Sequence, residues 1–415
     1  MSDAPMTPAT MPAKPLLFTP IRLRELTVRN RVAIAPMLQY SGRDGLPTDW
    51  HFLHLGKFAL GGAGIVFSEA IAVEERGRIP YGDLGLWRDD QVAPLRRITD
   101  FVRQHGAIPA VQLAHAGRKA GTQRPWDGHG PLTAADLVRG EPPWLPMGAS
   151  AVAASPSRSI PAELSLADIR ELLEAWRTAA LRALDAGFEI AELHGAHGYL
   201  LHTFLSPKSN LRSDGYGGSF EGRARLPFEA AELVRSVWPK EWPLFYRISA
   251  VDEGGWTIEE SVRFAKGLKE RGVDVVDCSS GSLHDSSTAN VRLKRGFGFQ
   301  VPFAAEIRRS ADIRTMAVGL IVDPFQAESI LQEGDADLIA IGREALYNPN
   351  WPLHAEVALS AQGEYESWPV QHGWWLTRRE RIFQRIAEDA AAETGAAEAA
   401  VRGGHSALTS MAGNR

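Results

Sequence analysis

Cysteine is nearly absent: Cys278 is the one instance in 415 residues. An intramolecular disulfide, a four-cysteine zinc site and a cysteine-held iron–sulfur cluster are therefore excluded, and the pattern predicts a protein of the reducing cytoplasm. A surplus of charge is lacking too, with 45 Lys and Arg against 50 Asp and Glu, a formal net of −5. Nucleic-acid binding would show as a basic domain or stripe, so no nucleic-acid partner is expected. No window reaches the roughly 18 uninterrupted apolar residues of a membrane span, so no membrane association is expected. The stretch 1–14, rich in Pro, Ala and Thr, lacks the apolar run of a signal peptide and reads as a disordered leader.

What the chain does have is an alternation of short apolar runs with longer helical patterns. Strands are predicted at 32–37, 65–69, 108–113, 189–194, 244–249, 273–279, 315–319 and 337–342. Their near-continuous apolar character indicates parallel strands covered on both faces. Between the third and fourth, Leu166, Ile169, Leu172, Leu173, Trp176, Ala180 and Leu184 recur at helical spacing, with Ser165 and Asp168 as a capping pair and Gly187 as the stop. Thr257 with Glu260, and Asp323 before Pro324, repeat such starts. Eight strand–helix alternations predict an α/β fold of the (β/α)8 TIM-barrel type. A doubly wound open sheet is the runner-up, but its Gly-rich phosphate loop after an early strand is missing.

Three decorations surround the expected barrel. Residues 16–30 predict an N-terminal hairpin capping the barrel bottom. The long loop after strand three, 117–162, falls at the face where barrels keep their active sites, and reads as a lid or substrate loop or as a structural insertion. Beyond Trp375 the chain turns Ala- and Glu-rich, which predicts a C-terminal extension over 377–415, partly helical or disordered. The barrel domain is expected over 15–376.

Catalytic groups in a barrel lie at the C-terminal ends of its strands. Here those ends carry Gln39 and Tyr40, Glu69 and Ala70, Gln112 and His115, then His194, His197 and Tyr199, then Arg247, and finally Gly319 and Gly342 with Arg343. Two glycines and an arginine at the last two ends suit a phosphate held by backbone N–H groups, against the plainer reading that they turn the chain. His194 and His197, with Tyr199 close behind, could aim into one pocket. They could instead be metal ligands of a TIM-barrel hydrolase; His115 keeps that reading open, although PMLQY at the first strand end offers no strong ligand.

The segments NRVAIAPM, SEAIAVEERGR, QLAHAGRKA, ELHGAHGYL, FLSPKSNLRSDGYGGSFEGRARLP, RISA, VDCSSG, AVGLI and GREALYNP resemble the old yellow enzyme family, NADH:flavin oxidoreductases, and within it the bacterial branch that includes the xenobiotic reductases. The resemblance runs in order from about residue 17 to 375. It implies an FMN-dependent ene-reductase that uses NADPH or NADH to reduce electron-poor alkenes, meaning α,β-unsaturated carbonyl or nitro compounds, by ping-pong hydride transfer through flavin N5. Reduction of nitro-esters or quinones on the same fold is the alternative. By the same resemblance Pro36, Met37, Ala70, Gln112 and Arg247 would hold the flavin ring, and Gly319, Gly342 and Arg343 the FMN phosphate. His194 and His197 would hydrogen-bond the substrate oxygen, Tyr199 would donate the proton, and Tyr40 would touch the substrate. Trp374 or Trp375 resembles an aromatic that related barrels reach into a neighbouring subunit, which implies a homo-oligomer, dimer or tetramer; packing on its own barrel is the other reading.

Asn210, Arg212, Asp214, Glu221, Arg223 and Arg225 read as a loop-fixing ion-pair network, and Lys119 as meeting NAD(P)H phosphate or solvent. The sharpest departure from the family is Leu38, where a cysteine is common beside the flavin. Cys278, inside a strand, reads as a buried small hydrophobe.

Overall fold

The computed structural model describes residues 14–284, 295–360 and 365–411. The leader, apart from Lys14, lies outside them. Eight parallel strands close into a barrel: Val32–Ile34, Ile65–Ala72, Ile108–Ala114, Ile190–Gly195, Leu244–Ser249, Val275–Ser279, Arg314–Ala317 and Leu338–Ile341. They neighbour one another in chain order, and the eighth pairs with the first through Ile341 and Ile34. The first strand is shorter than its apolar run. Ala35 N–H still donates to the Ile341 carbonyl at 3.0 Å, but Pro36 has no N–H to continue the ladder, and the chain turns out toward the strand ends.

Period-two alternation explains the unbroken apolar runs. Outward residues such as Val32, Ile34, Val111, Leu193, Tyr246 and Val276 pack under the helices, while Ala33, Ile65, Phe67, Ala110, Ile190, Phe245, Val275, Met316 and Leu338 fill the interior. Every strand thus buries both faces. One step up, the interior changes character: Gln112, Glu192, Arg247 and Asp277 follow Ala110, Ile190, Phe245 and Val275 by two residues each.

The hairpin forms as expected from Ile21–Leu23 and Leu26–Val28, and Ile21, Leu23 and Val28 join the interior cluster as a plug. Arg24 fixes it at the bottom: its Nε lies 2.7 Å from Asp274 Oδ1, and its Nη groups donate to the carbonyls of Lys240 and Gly272, just before the fifth and sixth strands. The capping signals also hold. Ser165 and Thr257 accept from Asp168 N and Glu260 N at the starts of helices Leu166–Asp185 and Ile258–Glu270, and Asp323 accepts from Gln326 N with Pro324 opening the next.

After the third strand the insertion is built from short turns and a two-residue pairing of Met147–Gly148 with Ala162–Glu163. Arg212 reaches it, donating to the Ala149 and Leu164 carbonyls at 3.0 and 2.6 Å while pairing with Asp214. Arg223 pairs with Glu260 and donates to the Leu205 carbonyl. These contacts give the charge-rich stretch the loop-fixing role read from its composition. A separate C-terminal unit begins at Ser360 and includes the helix Val370–Met411. No helix among the described residues is long and apolar enough to cross a membrane.

Candidate active site

The fourth strand ends in His194. Its Nδ1 accepts a hydrogen bond from the backbone N–H of Ala196 at 3.2 Å, so the ring proton sits on Nε2, which leaves that atom a donor. His197 follows on backbone with φ +59°, a left-handed conformation that costs a non-glycine residue on the order of 1 kcal/mol or more. Two contacts hold it there: its N–H donates to Ser249 Oγ at 3.0 Å, and its carbonyl accepts from Lys119 Nζ at 2.9 Å. The two imidazoles stand edge to face at 5.2 Å between centroids, and the Tyr199 ring meets His194 the same way at 4.9 Å. Burial lowers both histidine pKa values well below the usual 6.5, and the Arg247 charge lowers them further. Both rings are therefore neutral donors at pH 7.

Lys119 corrects the sequence expectation. It is buried, and besides the His197 carbonyl its Nζ donates to those of Ser282 and Ser282's neighbour-but-one His284, at 2.7 and 3.1 Å. Converging carbonyls replace its water, so it meets neither cofactor phosphate nor solvent and instead holds the His197 backbone. Tyr40, also with positive φ, is pushed up to about 12 by burial with help from Asp83 and Glu69, and so stays protonated. Trp126 of the long insertion packs edge-on to it at 5.6 Å, and Arg124 donates to its carbonyl. The insertion thereby reaches the first strand end.

Beside this cluster a cleft of about 240 Å³ opens between the ends of the first, sixth, seventh and eighth strands. Of the expected residues, Pro36, Met37, His197, Arg247, Gly319, Gly342 and Arg343 line it. Ala70, Gln112, His194, Tyr199 and Tyr40 do not, but sheet register links three of them to it. Ala70 pairs with Gln112 past a bulge, Gln112 with Glu192, and His194 with Arg247, which pairs in turn with Asp277. Arg247 is fixed from below, its Nε 3.1 Å from Asp277 Oδ2 and its Nη2 3.0 Å from Ser279 Oγ.

The cleft has room for a phosphate-bearing ligand where the glycines sit. A Cβ at Gly342 would meet nothing nearer than Ala35 Cβ at 3.9 Å, so no protein atom requires glycine there. Gly319 needs its freedom, with φ +124° and Gln300 Nε2 2.9 Å from a built Cβ. Exposed Arg343 and Arg295 flank this end, and neither has a carboxylate within ion-pair distance among the described residues. Arg295, Ser280 and Gln300 were not legible in the sequence. They lie in the connection after the sixth strand, which carries no periodicity; Ser280 and Gln300 are fixed there by Ser280 Oγ donating to Gln300 Oε1 and Gln300 Nε2 donating to the Val318 carbonyl.

His115 is engaged elsewhere: Nε2 lies 2.9 Å from Glu74 Oε1, and Nδ1 accepts from Gly117 N. Among the described residues no group of three or more His, Cys, Asp or Glu is placed to hold a metal ion. Cys278 is fully buried in the sixth strand, as a small hydrophobe would be. Trp375 belongs to the C-terminal unit, where it is 66% exposed and stands edge-on to Trp374.

A closed parallel barrel that sets a glycine-and-arginine cradle beside neutral imidazole donors has the architecture of a flavin-dependent oxidoreductase. The model of the NADH:flavin oxidoreductase / NADH oxidase family matches residues 16–362. The chain belongs to that family, the old yellow enzyme family, and is an oxidoreductase that binds FMN and takes reducing equivalents from NAD(P)H. It is 43% identical over 367 residues to the NADPH dehydrogenase of Geobacillus sp. (strain WCH70), covering 86% of this chain and 98% of that one. Identity to the NADPH dehydrogenase of Bacillus subtilis (strain 168) is 41%, covering 86% and 99%. Among solved structures, morphinone reductase aligns with a TM-score of 0.70 at 27% identity, covering 83% of this chain and 90% of that chain. The old yellow enzyme homologue from Zymomonas mobilis aligns with 0.69 at 27%, covering 85% and 96%.

Proposed function

We propose that the protein is an ene-reductase, reducing the C=C bond of α,β-unsaturated carbonyl or nitro compounds in the cytoplasm, as a homo-oligomer. The observation that carries the reaction is the pair of neutral, oriented imidazoles beside Tyr199 at the edge of the cleft. Pro36, Met37, Ala70, Gln112 and Arg247 would hold the FMN ring, and Gly319, Gly342 and Arg343, joined by Arg295, its phosphate. Bound there, FMN would supply the hydride-transfer chemistry that links NAD(P)H to the alkene. His194 and His197 donate to the substrate oxygen, where negative charge builds as hydride reaches the β-carbon, and being preorganised they need no rearrangement to do so. Tyr199 delivers a proton from its phenolic O–H to the α-carbon. Tyr40 contacts the substrate from the first strand, and Trp375 belongs to the substrate site of a neighbouring subunit.

One visible spectrum tests this reading: flavin bands should bleach anaerobically with NADPH and return on adding cyclohexenone or a maleimide. A protein that stays colourless, or a reduced flavin that no electron-poor alkene reoxidises, rejects it. Tyr199→Phe is expected to slow reoxidation by cyclohexenone about 10²-fold or more, the scale of a lost general acid, and to leave bleaching by NADPH within about two-fold. Stopped-flow absorbance separates the two halves. Leu38→Cys should shift the flavin reduction potential, because a thiol beside the ring can hydrogen-bond where leucine cannot. An unchanged potential by dye equilibration would remove Leu38 from redox control.

A further inference from the structure

The polar layer inside the barrel holds charge that the mechanism leaves unused. Glu192 and Asp277, on the fourth and sixth strands, are both 0% exposed. Gln112 Nε2 donates to Glu192 Oε1 at 2.7 Å, whereas Glu192 Oε2 and Asp277 Oδ1 have no hydrogen-bond partner among the described residues, and Asp277 Oδ2 is held by its ion pair with Arg247 Nε at 3.1 Å. The charged group facing both carboxylates is Arg247, from the fifth strand, whose Nη2 donates to Ser279. His194 and His197, which also feel Arg247, are neutral. One guanidinium balances one carboxylate. A second ionised carboxylate would leave net charge in a dry interior at a cost of several kcal/mol, and such groups keep a proton instead. Burial, then repulsion by Asp277, pushes the Glu192 carboxyl well above the ordinary range, and burial raises that of Asp277 against the pull of Arg247.

The second observation is the direction of the Gln112 amide. Glu192 Oε1 is an acceptor, so it takes the NH2 group and turns Gln112 Oε1 away, and no described residue donates to that oxygen. A flavin ring presents an imide N–H, which needs such an acceptor.

We propose that Glu192 is a positioning residue for the flavin ring: its Oε1 fixes the Gln112 amide with the amide oxygen toward the ring site. This rests on the FMN reading above. Loss of the proton kept by the carboxyl that Arg247 does not balance puts a second negative charge beneath Gln112, so cofactor affinity falls as pH rises. Glu192→Gln mimics the protonated form, its carbonyl accepting from Gln112 as Glu192 Oε1 does. Glu192→Leu fills the space with neither group.

The test is the FMN dissociation constant of the full-length holoenzyme, from the fluorescence of flavin released on dilution between pH 7 and 9.5, with each protein's thermal midpoint recorded. The wild type should lose affinity at least five-fold across that range. Glu192→Gln should bind like the wild type at pH 7 and stay within two-fold throughout. Glu192→Leu should bind at least ten-fold more weakly at pH 7, with a lower midpoint because the buried Gln112 Nε2 loses its acceptor. The proposal is overturned if Glu192→Leu folds and binds FMN as the wild type does, or if wild type and Glu192→Gln share one pH dependence. Should Glu192→Leu fail to fold, the Glu192→Gln comparison still decides. A wild type that carries no FMN overturns the cofactor reading instead, and this inference with it.

Discussion

Replacing either His194 or His197 by alanine should lower kcat for cyclohexenone about 10²–10³-fold, the effect of removing one oxyanion donor. The double variant should fall little further, because both imidazoles serve one oxygen and groups that act as a unit are not additive. Both histidines are held neutral by burial and by Arg247, so their contribution is an N–H and not a positive charge. His194→Asn, which keeps a neutral N–H donor, should therefore retain activity within about ten-fold of wild type, as expected for exchange of one neutral donor for another. Phenol titration supplies an independent readout: the long-wavelength charge-transfer band expected of a phenol over the flavin should vanish in the alanine variants. Alanine variants that bind phenols and reduce enones normally would remove the donor pair from the mechanism.

Arg247→Met should have the largest effect on the molecule as a whole. It strands Asp277, 0% exposed and 3.1 Å from the lost Nε, and breaking a buried pair from one side costs about 3–5 kcal/mol. The loss should depend on pH with a definite sign. Without its cation, Asp277 has a folded-state pKa further above its unfolded value, so stability is present below the unfolded pKa and falls as pH rises toward the folded one. Adding Asp277→Asn removes the stranded charge and should restore most of the stability. It should not restore FMN, because the guanidinium at the cleft is still missing. Thermal melts at pH 5 and 8, together with flavin content, check both statements. Recovery of FMN in the double variant would make the role of Arg247 purely structural.

The barrel was legible because each strand buries both faces, which writes an unbroken apolar run such as IVFSE, and because Ser165, Thr257 and Asp323 mark the crossover helices from within the chain. The residues at strand ends were legible for a related reason. Strand direction and the barrel rule together select one end of each element, and His194, His197, Arg247, Gly319 and Gly342 all stand there. Glu192 and Asp277 escaped notice inside ELH and VVDC, since a run of mostly apolar letters does not say that its polar members share an interior. Lys119 was misread for the opposite reason: a lysine near a loop is ordinarily solvated, and only the carbonyls of 197, 282 and 284 converging from distant segments make a dry site for it.

Local chemistry therefore determined the elements, their order and which end of each bears function, because periodicity, caps and single polar residues at strand ends are properties of short stretches of chain. Only the closed barrel decided partnership. Register placed Glu192 beside Gln112 and Arg247 beside Asp277, closure put the first strand next to the eighth around one cleft, and burial set the protonation of His194 and His197. These depend on desolvation and on distances between segments far apart along the chain, such as Ile34 and Ile341, and no local pattern encodes them.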